Sequence, residues 1–176
     1  MDITDNRLTQ NQRDMLNKIS LYIDKPIYIY GSINRADYIQ GKSDIDIDIF
    51  TENESSTINI LSHLLNLNKT NFRKTIFKID SFMVFGFKTK YSDKSNGINF
   101  EISIYNEKYK NIILYDHNNG RYLPFYITFV LYIIKILFYE YNLISKQFYK
   151  RCKRFLMNPG DELKFIEVDN WFYKIY

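Results

Sequence analysis

Residues 43–50 read Ser43-Asp44-Ile45-Asp46-Ile47-Asp48-Ile49-Phe50. The strict alternation of acidic and apolar residues is strand periodicity. It sets Ile45, Ile47 and Ile49 on one face and Asp44, Asp46 and Asp48 on the other. Aspartate is depleted in strands, and like charges crowded on one face repel, so this run needs a compensating partner. A cation is the simplest one. An EF-hand loop starting at Asp44 is excluded, because its sixth position would be Ile49 instead of Gly and its twelfth Ser55 instead of Glu.

Upstream, Ile27–Tyr30 is a short β-rich run that stops at Gly31-Ser32, eleven residues before Ser43. A strand that delivers Gly-Ser into a turn offers a backbone that phosphate can approach closely, with free N–H groups and a hydroxyl as donors. Carboxylates at i and i+2 on one strand face lie roughly 6.6 Å apart at Cα. That spacing lets them converge on two metal ions about 3.5–4 Å apart. All three aspartates cannot share one such pair, since Asp44 and Asp48 are roughly 13 Å apart along an extended strand. The pair is therefore Asp44/Asp46 or Asp46/Asp48.

Outward from this centre the pattern is mixed. Asn6 to Tyr22 spaces Leu8, Met15, Leu16 and Ile19 as an amphipathic helix. The cluster 51–56 (TENESS) starts a second helix ahead of Ile58, Leu61 and Leu65. β-like runs follow at 75–79 and 81–90, then a turn over 92–97 and a strand at 98–105. From about Asn111 the pattern is helical. The expected fold is α+β, a mixed β-sheet flanked by helices, with a core over 1–110 and a helical C-terminal extension over 111–176.

Composition narrows the class. The 176 residues carry 24 Lys and Arg against 20 Asp and Glu, a net charge of +4. One Cys (Cys152) rules out an internal disulfide framework. With His63 and His117 far apart in sequence, it leaves no zinc constellation either. The polar start MDITDNRLTQNQRDML lacks the apolar centre of a signal peptide, so a cytoplasmic location is expected. The stretch 122–139 is the only candidate membrane span. It is marginal in length and carries Lys135 near its centre, so a buried helix is expected there, with no membrane partner. Lys146, Lys150, Arg151, Lys153 and Arg154, interleaved with Phe148, Tyr149 and Phe155, suit either an RNA backbone or a soluble helix end.

An apolar strand ending in Gly31-Ser32, a spacer of about a dozen residues and then Asp44-Ile45-Asp46-Ile47 resembles the DNA polymerase β-like nucleotidyltransferases, over roughly residues 1–105. Gly41-Lys42-Ser43 looks like the turn that small members place before the acidic strand. The resemblance favours Asp44/Asp46 as the metal pair. It implies two Mg²⁺ ions (Mn²⁺ as substitute) and an NTP as substrate. It also implies a third carboxylate on a later strand, for which Glu101 leads Asp80 and Asp93 because it sits mid-strand on a polar face with Asn99 and Ser103. Gly31 and Ser32, with Arg35, Lys42, Ser43 and Arg73 as further candidates, would contact the triphosphate. The implied reaction is transfer of a nucleoside monophosphate to an acceptor hydroxyl. The acceptor stays open between an RNA 3′ end, a protein side chain and a small molecule. A catalytically inactive binding subunit is the other class.

Overall fold

The computed structural model describes residues 7–79, 81–118, 123–157 and 165–167. Its elements are α1 (Gln10–Ile23), β1 (Ile27–Tyr30), β2 (Ile45–Thr51), α2 (Glu54–Leu64), β3 (Arg73–Ile79) and β4 (Phe82–Asp93). They are followed by β5 (Ile98–Asn106), α3 (Lys110–Asn118), α4 (Phe125–Tyr139), α5 (Lys146–Met157) and β6 (Phe165–Glu167). Among the described residues the strands form one mixed sheet in the order β1-β2-β5-β4-β3-β6, in which only β2 and β5 run parallel. This is the α+β class the periodicities predict.

Local chemistry sets the helix ends. Thr9 and Gln12 form a reciprocal capping box at the start of α1, and Asp24 closes it in the left-handed region. Asn53 caps α2 by accepting from the Ser56 amide. The period-2 pattern then sorts the sheet faces. Ile27, Ile29, Ile45, Ile47, Ile49, Phe100, Ile102 and Ile104 point to one side, where Leu16, Ile19 and Ile23 of α1 and Ile58 and Leu61 of α2 cover them. Burying this many branched aliphatics, at about 1.5–3 kcal/mol each, is the main source of stability. On the other face Ile113 of α3 packs with Phe50, Val84 and Tyr105. The opposite end of that face, where Asp46 and Glu101 stand, is left open.

The described part of the extension is helical over α3, α4 and α5, with a difference: Phe165–Glu167 pairs with β3 and lengthens the sheet. Phe and Ile are good strand formers, and the β3 edge was available. The expected boundary at 110/111 falls at the first turn of α3. None of the described helices is long and apolar enough to cross a membrane. The expectation of a buried helix at 122–139 is corrected in part. Thr128, Leu131 and Lys135 of α4 are buried, but Phe125, Tyr126, Phe129 and Ile133 are exposed. The helix is apolar all round, and only one stripe of it docks.

That docked stripe ends in an ion cluster. Lys135 is 2% exposed; it donates to the Asp37 backbone carbonyl at 2.8 Å and meets the Asp37 carboxylate at 2.9 Å. Arg35 grips the same carboxylate with two donors at 2.7 and 3.1 Å. Burial pushes the Asp37 carboxyl up, and the Arg35 and Lys135 donors more than reverse this, leaving it below its ordinary value. Removing one partner from such a buried set costs about 3–5 kcal/mol, because a charge is left stranded. Asp37→Ala should therefore lower the urea-unfolding free energy by about that amount, and adding Lys135→Met should restore much of it. Equal losses in single and double variants would show that the ion pair does not hold α4 in place.

Candidate active site

The open end of the polar face is built by register. The parallel pairing of β2 and β5 sets Asp46 opposite Glu101 and Asp48 opposite Ser103. The antiparallel pairing of β5 and β4 adds Lys90 opposite Glu101 and Lys88 opposite Ser103. Side chains directly opposite one another share a face. One patch therefore holds two carboxylates and two ammonium groups. Lys88 and Lys90 each form an ion pair with Glu101, one on each carboxylate oxygen, and Lys90 also lies 4.0 Å from Asp44.

The three aspartates of β2 and its entry have three different environments. Asp44 is half exposed at the mouth of the site. Asp46 is partly buried, and burial followed by the Glu101 charge raises its carboxyl to about 6, against the pull of Lys153 and Lys88. Asp48 is fully buried and is hydrogen-bonded to Nε2 of His117 at 2.7 Å. Burial raises its carboxyl, and the His117 contact opposes that. The His117 ring stacks on Tyr30 at 3.9 Å. Asp48 is thus engaged by His117, Asp46 lies against the Gly31 backbone, and Asp44 is exposed.

Gly31 has φ +81°, and a Cβ built on it would overlap the Asp46 carboxylate. The glycine is needed both for its left-handed backbone and for this close approach. Ser32 is buried in the 3₁₀ turn 31–34, with its hydroxyl 3.4 Å from the Asp44 carbonyl. The structure thus brings Gly31, Ser32, Asp44, Asp46 and Glu101 together. Arg35, Lys42 and Ser43 are engaged elsewhere. Arg35 holds Asp37, Lys42 pairs with Glu140 at 2.6 Å, and the buried Ser43 hydroxyl accepts the Ile39 amide at 3.0 Å. Asp93 caps the β4–β5 turn by accepting from Ser95 and Asn96. Asp80 lies outside the described residues.

Two contributors, Lys88 and Lys90, were not singled out in the sequence, and a third, Lys153, was singled out only as part of a basic run. Lys88 and Lys90 carry an i, i+2 spacing that matches the polar face of β5, a signal visible only once the two strands are paired. Lys153 belongs to the basic run of α5, yet its charge is felt at Asp46. That helix is seated by Tyr149, whose ring stacks on Phe138 at 4.6 Å. Lys146, Lys150, Arg151 and Arg154 are exposed on the outside.

All acidic donors here are oxygens, the set that suits a hard cation such as Mg²⁺. Like-charged Asp46 and Glu101 on paired strands are an arrangement that a cation would relieve. Among the described residues, however, no three acidic, His or Cys side chains stand together closely enough to hold an ion, and two lysines engage Glu101.

The raised carboxyl of Asp46 has a stability consequence in metal-free protein. A carboxyl whose folded value (about 6) exceeds its ordinary value (3.8) favours the folded state at low pH, and that stability is lost as pH rises through about 4 to 6. The loss is of order 1–3 kcal/mol for a partly buried group. Asp46→Asn should flatten the decline and melt above the wild type at neutral pH without metal. A variant that follows the wild-type pH profile would show that Asp46 is not the strained group.

No protein-family model and no curated protein matches the chain. Among solved structures it is similar to a Cid1 poly(U) polymerase bound to MgATP (13% identity, TM-score 0.39, 82% of this chain and 46% of that one). It is also similar to a cytoplasmic RNA terminal U-transferase (12% identity, TM-score 0.38, 79% and 43%). A third is the GLD-2/RNP-8 complex (11% identity, TM-score 0.36, 90% and 69%). The chain spans less than half the length of the first two. At these identities and TM-scores the likeness is too remote to place the chain in a family.

Proposed function

We propose that the protein is a metal-dependent nucleotidyltransferase whose core, residues 1–110, carries the chemistry and whose extension, 111–176, supplies Lys153. The observation that carries this is the convergence of Gly31, Ser32, Asp44, Asp46 and Glu101 on one open sheet end, with Asp46 against the Gly31 backbone. Asp44 and Asp46 would hold Mg²⁺, with Glu101 joining once its lysines release it. The bound ions would neutralise phosphate charge and polarise the phosphorus under attack.

The chain's own groups do the rest. Gly31 and Ser32 cradle the outer phosphates with backbone N–H groups and a hydroxyl, and Lys153 adds positive charge beside Asp46. An acceptor hydroxyl attacks the α-phosphorus, and its proton passes to Glu101. The bond from the α-phosphorus to the bridging oxygen breaks, and pyrophosphate leaves. Such transfers need positioning and charge neutralisation more than covalent help. A second reading is an inactive binding subunit, favoured by the two lysines that occupy both oxygens of Glu101.

Incubation with Mg²⁺, each α-labelled NTP and RNA, DNA or protein acceptors separates the two. Transfer of label to an acceptor is expected. Asp44→Asn and Asp46→Asn should each lose roughly 10²–10³-fold in rate, the scale of a lost electrostatic stabiliser. Gly31→Ala should fail as well, because its Cβ overlaps Asp46, whereas Asp48→Asn should keep most of the activity. No label on any acceptor with any NTP, despite nucleotide binding, would favour the inactive subunit.

A further inference from the structure

On the far side of Glu101 from Gly31 lies a cleft of about 720 Å³, lined by Thr70, Asn71, Arg73, Thr75, Lys88 and Lys90 together with Glu101 itself. It runs over β4 and β3, and the register explains its walls. Arg73 pairs with Lys88, and Lys90 is two residues further along β4, so these cations share the polar face with Glu101. Counting Glu101, the lining carries a net charge of 3 − 1 = +2. The turn 69–71 adds the uncharged donors of Thr70 and Asn71 at the outer end.

The lining is informative by what it contains. Clefts for small molecules are lined mostly by apolar and aromatic side chains. This one has no aromatic and no large aliphatic residue. Arg, Lys, Thr and Asn are the side chains that contact phosphate and sugar in nucleic-acid complexes. Lys153 of α5 is felt at Asp46 but does not line the cleft, whose cations are Arg73, Lys88 and Lys90. An in-line transfer needs its two substrates to approach the phosphorus from opposite sides.

We infer that this β3–β4 cleft binds the phosphate backbone of a single-stranded oligonucleotide and leads its 3′-hydroxyl to Glu101. The acceptor role rests on the transferase reading above; the binding site itself does not. Arg73 takes a backbone phosphate at the outer end, and Lys90, 70% exposed at the inner end, takes one next to the reacting hydroxyl. Binding is thus led by the backbone and tolerant of sequence, and the outer basic residues of α5 are left out of it.

The test is fluorescence anisotropy of labelled single-stranded RNA and DNA with free 3′-hydroxyls, titrated over a range of salt concentrations without nucleotide. Arg73→Gln and Lys90→Gln should each make the slope of log affinity against log salt shallower by roughly 0.7, one single-strand phosphate contact apiece. Arg73→Gln should keep the wild-type melting temperature in the absence of ligand, which shows that the fold is intact. Equal changes with RNA and DNA identify the shared phosphate chemistry, and a change confined to RNA identifies recognition of the 2′-hydroxyl; either supports the site. Unchanged slopes in both variants, or a slope flattened by Lys150→Gln and Arg151→Gln instead, overturn it. Label transfer to RNA with groove variants that bind normally would sink the cleft and spare the transferase. Groove-dependent binding without any transfer would sink the transferase and confine the inference to a binding site.

Discussion

The constraint on which the rest of this structure depends is the placement of Asp46 directly opposite Glu101 on neighbouring parallel strands. Two carboxylates side by side in a partly buried patch repel, and the chain answers with two lysines on the next strand, both paired to Glu101. Burial first raises the Glu101 carboxyl, but Lys88 and Lys90 bring it below its ordinary value. Among the described residues Asp46 has no such pair, and it stays raised, at about 6. The patch therefore holds one satisfied carboxylate and one under electrostatic load. That imbalance makes Asp46 the group with most to gain from a bound cation.

The periphery is arranged around this patch. The segment 35–43 is pinned through Asp37 to Arg35 and to Lys135 of α4, and Lys42 adds a contact to Glu140 just beyond that helix. With α4 docked on this segment, Tyr149 stacked against Phe138 seats α5, and Lys153 comes close enough for its charge to be felt at Asp46. The buried ion cluster thus links the Gly-Ser turn, the acidic strand and the basic helix. A charged side chain in the middle of an apolar helix is costly unless paired, and here its partner is the segment leading to the site.

Much of the fold was legible in the sequence, because binary patterns report directly on faces. The period-2 runs located β1, β2 and β5, and the alternation in β2 separated the isoleucines that form the core from the aspartates of the site. The spacing of Gly31-Ser32 to the acidic strand anticipated that they would meet. The choice between Asp44 and Asp48 could not be settled along the strand. What the structure adds is a contact from His117, sixty-nine residues away on α3, that engages Asp48. Arg35 illustrates the same limit. Arg35, three residues after Ser32, was a candidate for phosphate, but Asp37 two residues later captures it. Lys88 and Lys90 acquire meaning only after β4 pairs with β5, a long-range event with no local signature.

The proposed site requires Asp44 and Asp46 together to bind a divalent ion with a nucleotide. Paramagnetic resonance of Mn²⁺ tests it most directly, since the free ion gives a sharp signal that binding removes. The wild-type protein with a non-hydrolysable NTP should deplete free Mn²⁺ beyond what the nucleotide alone binds. Asp46→Asn should abolish the excess, and Asp48→Asn should preserve it. Equal depletion by the wild type and Asp46→Asn would contradict the claim.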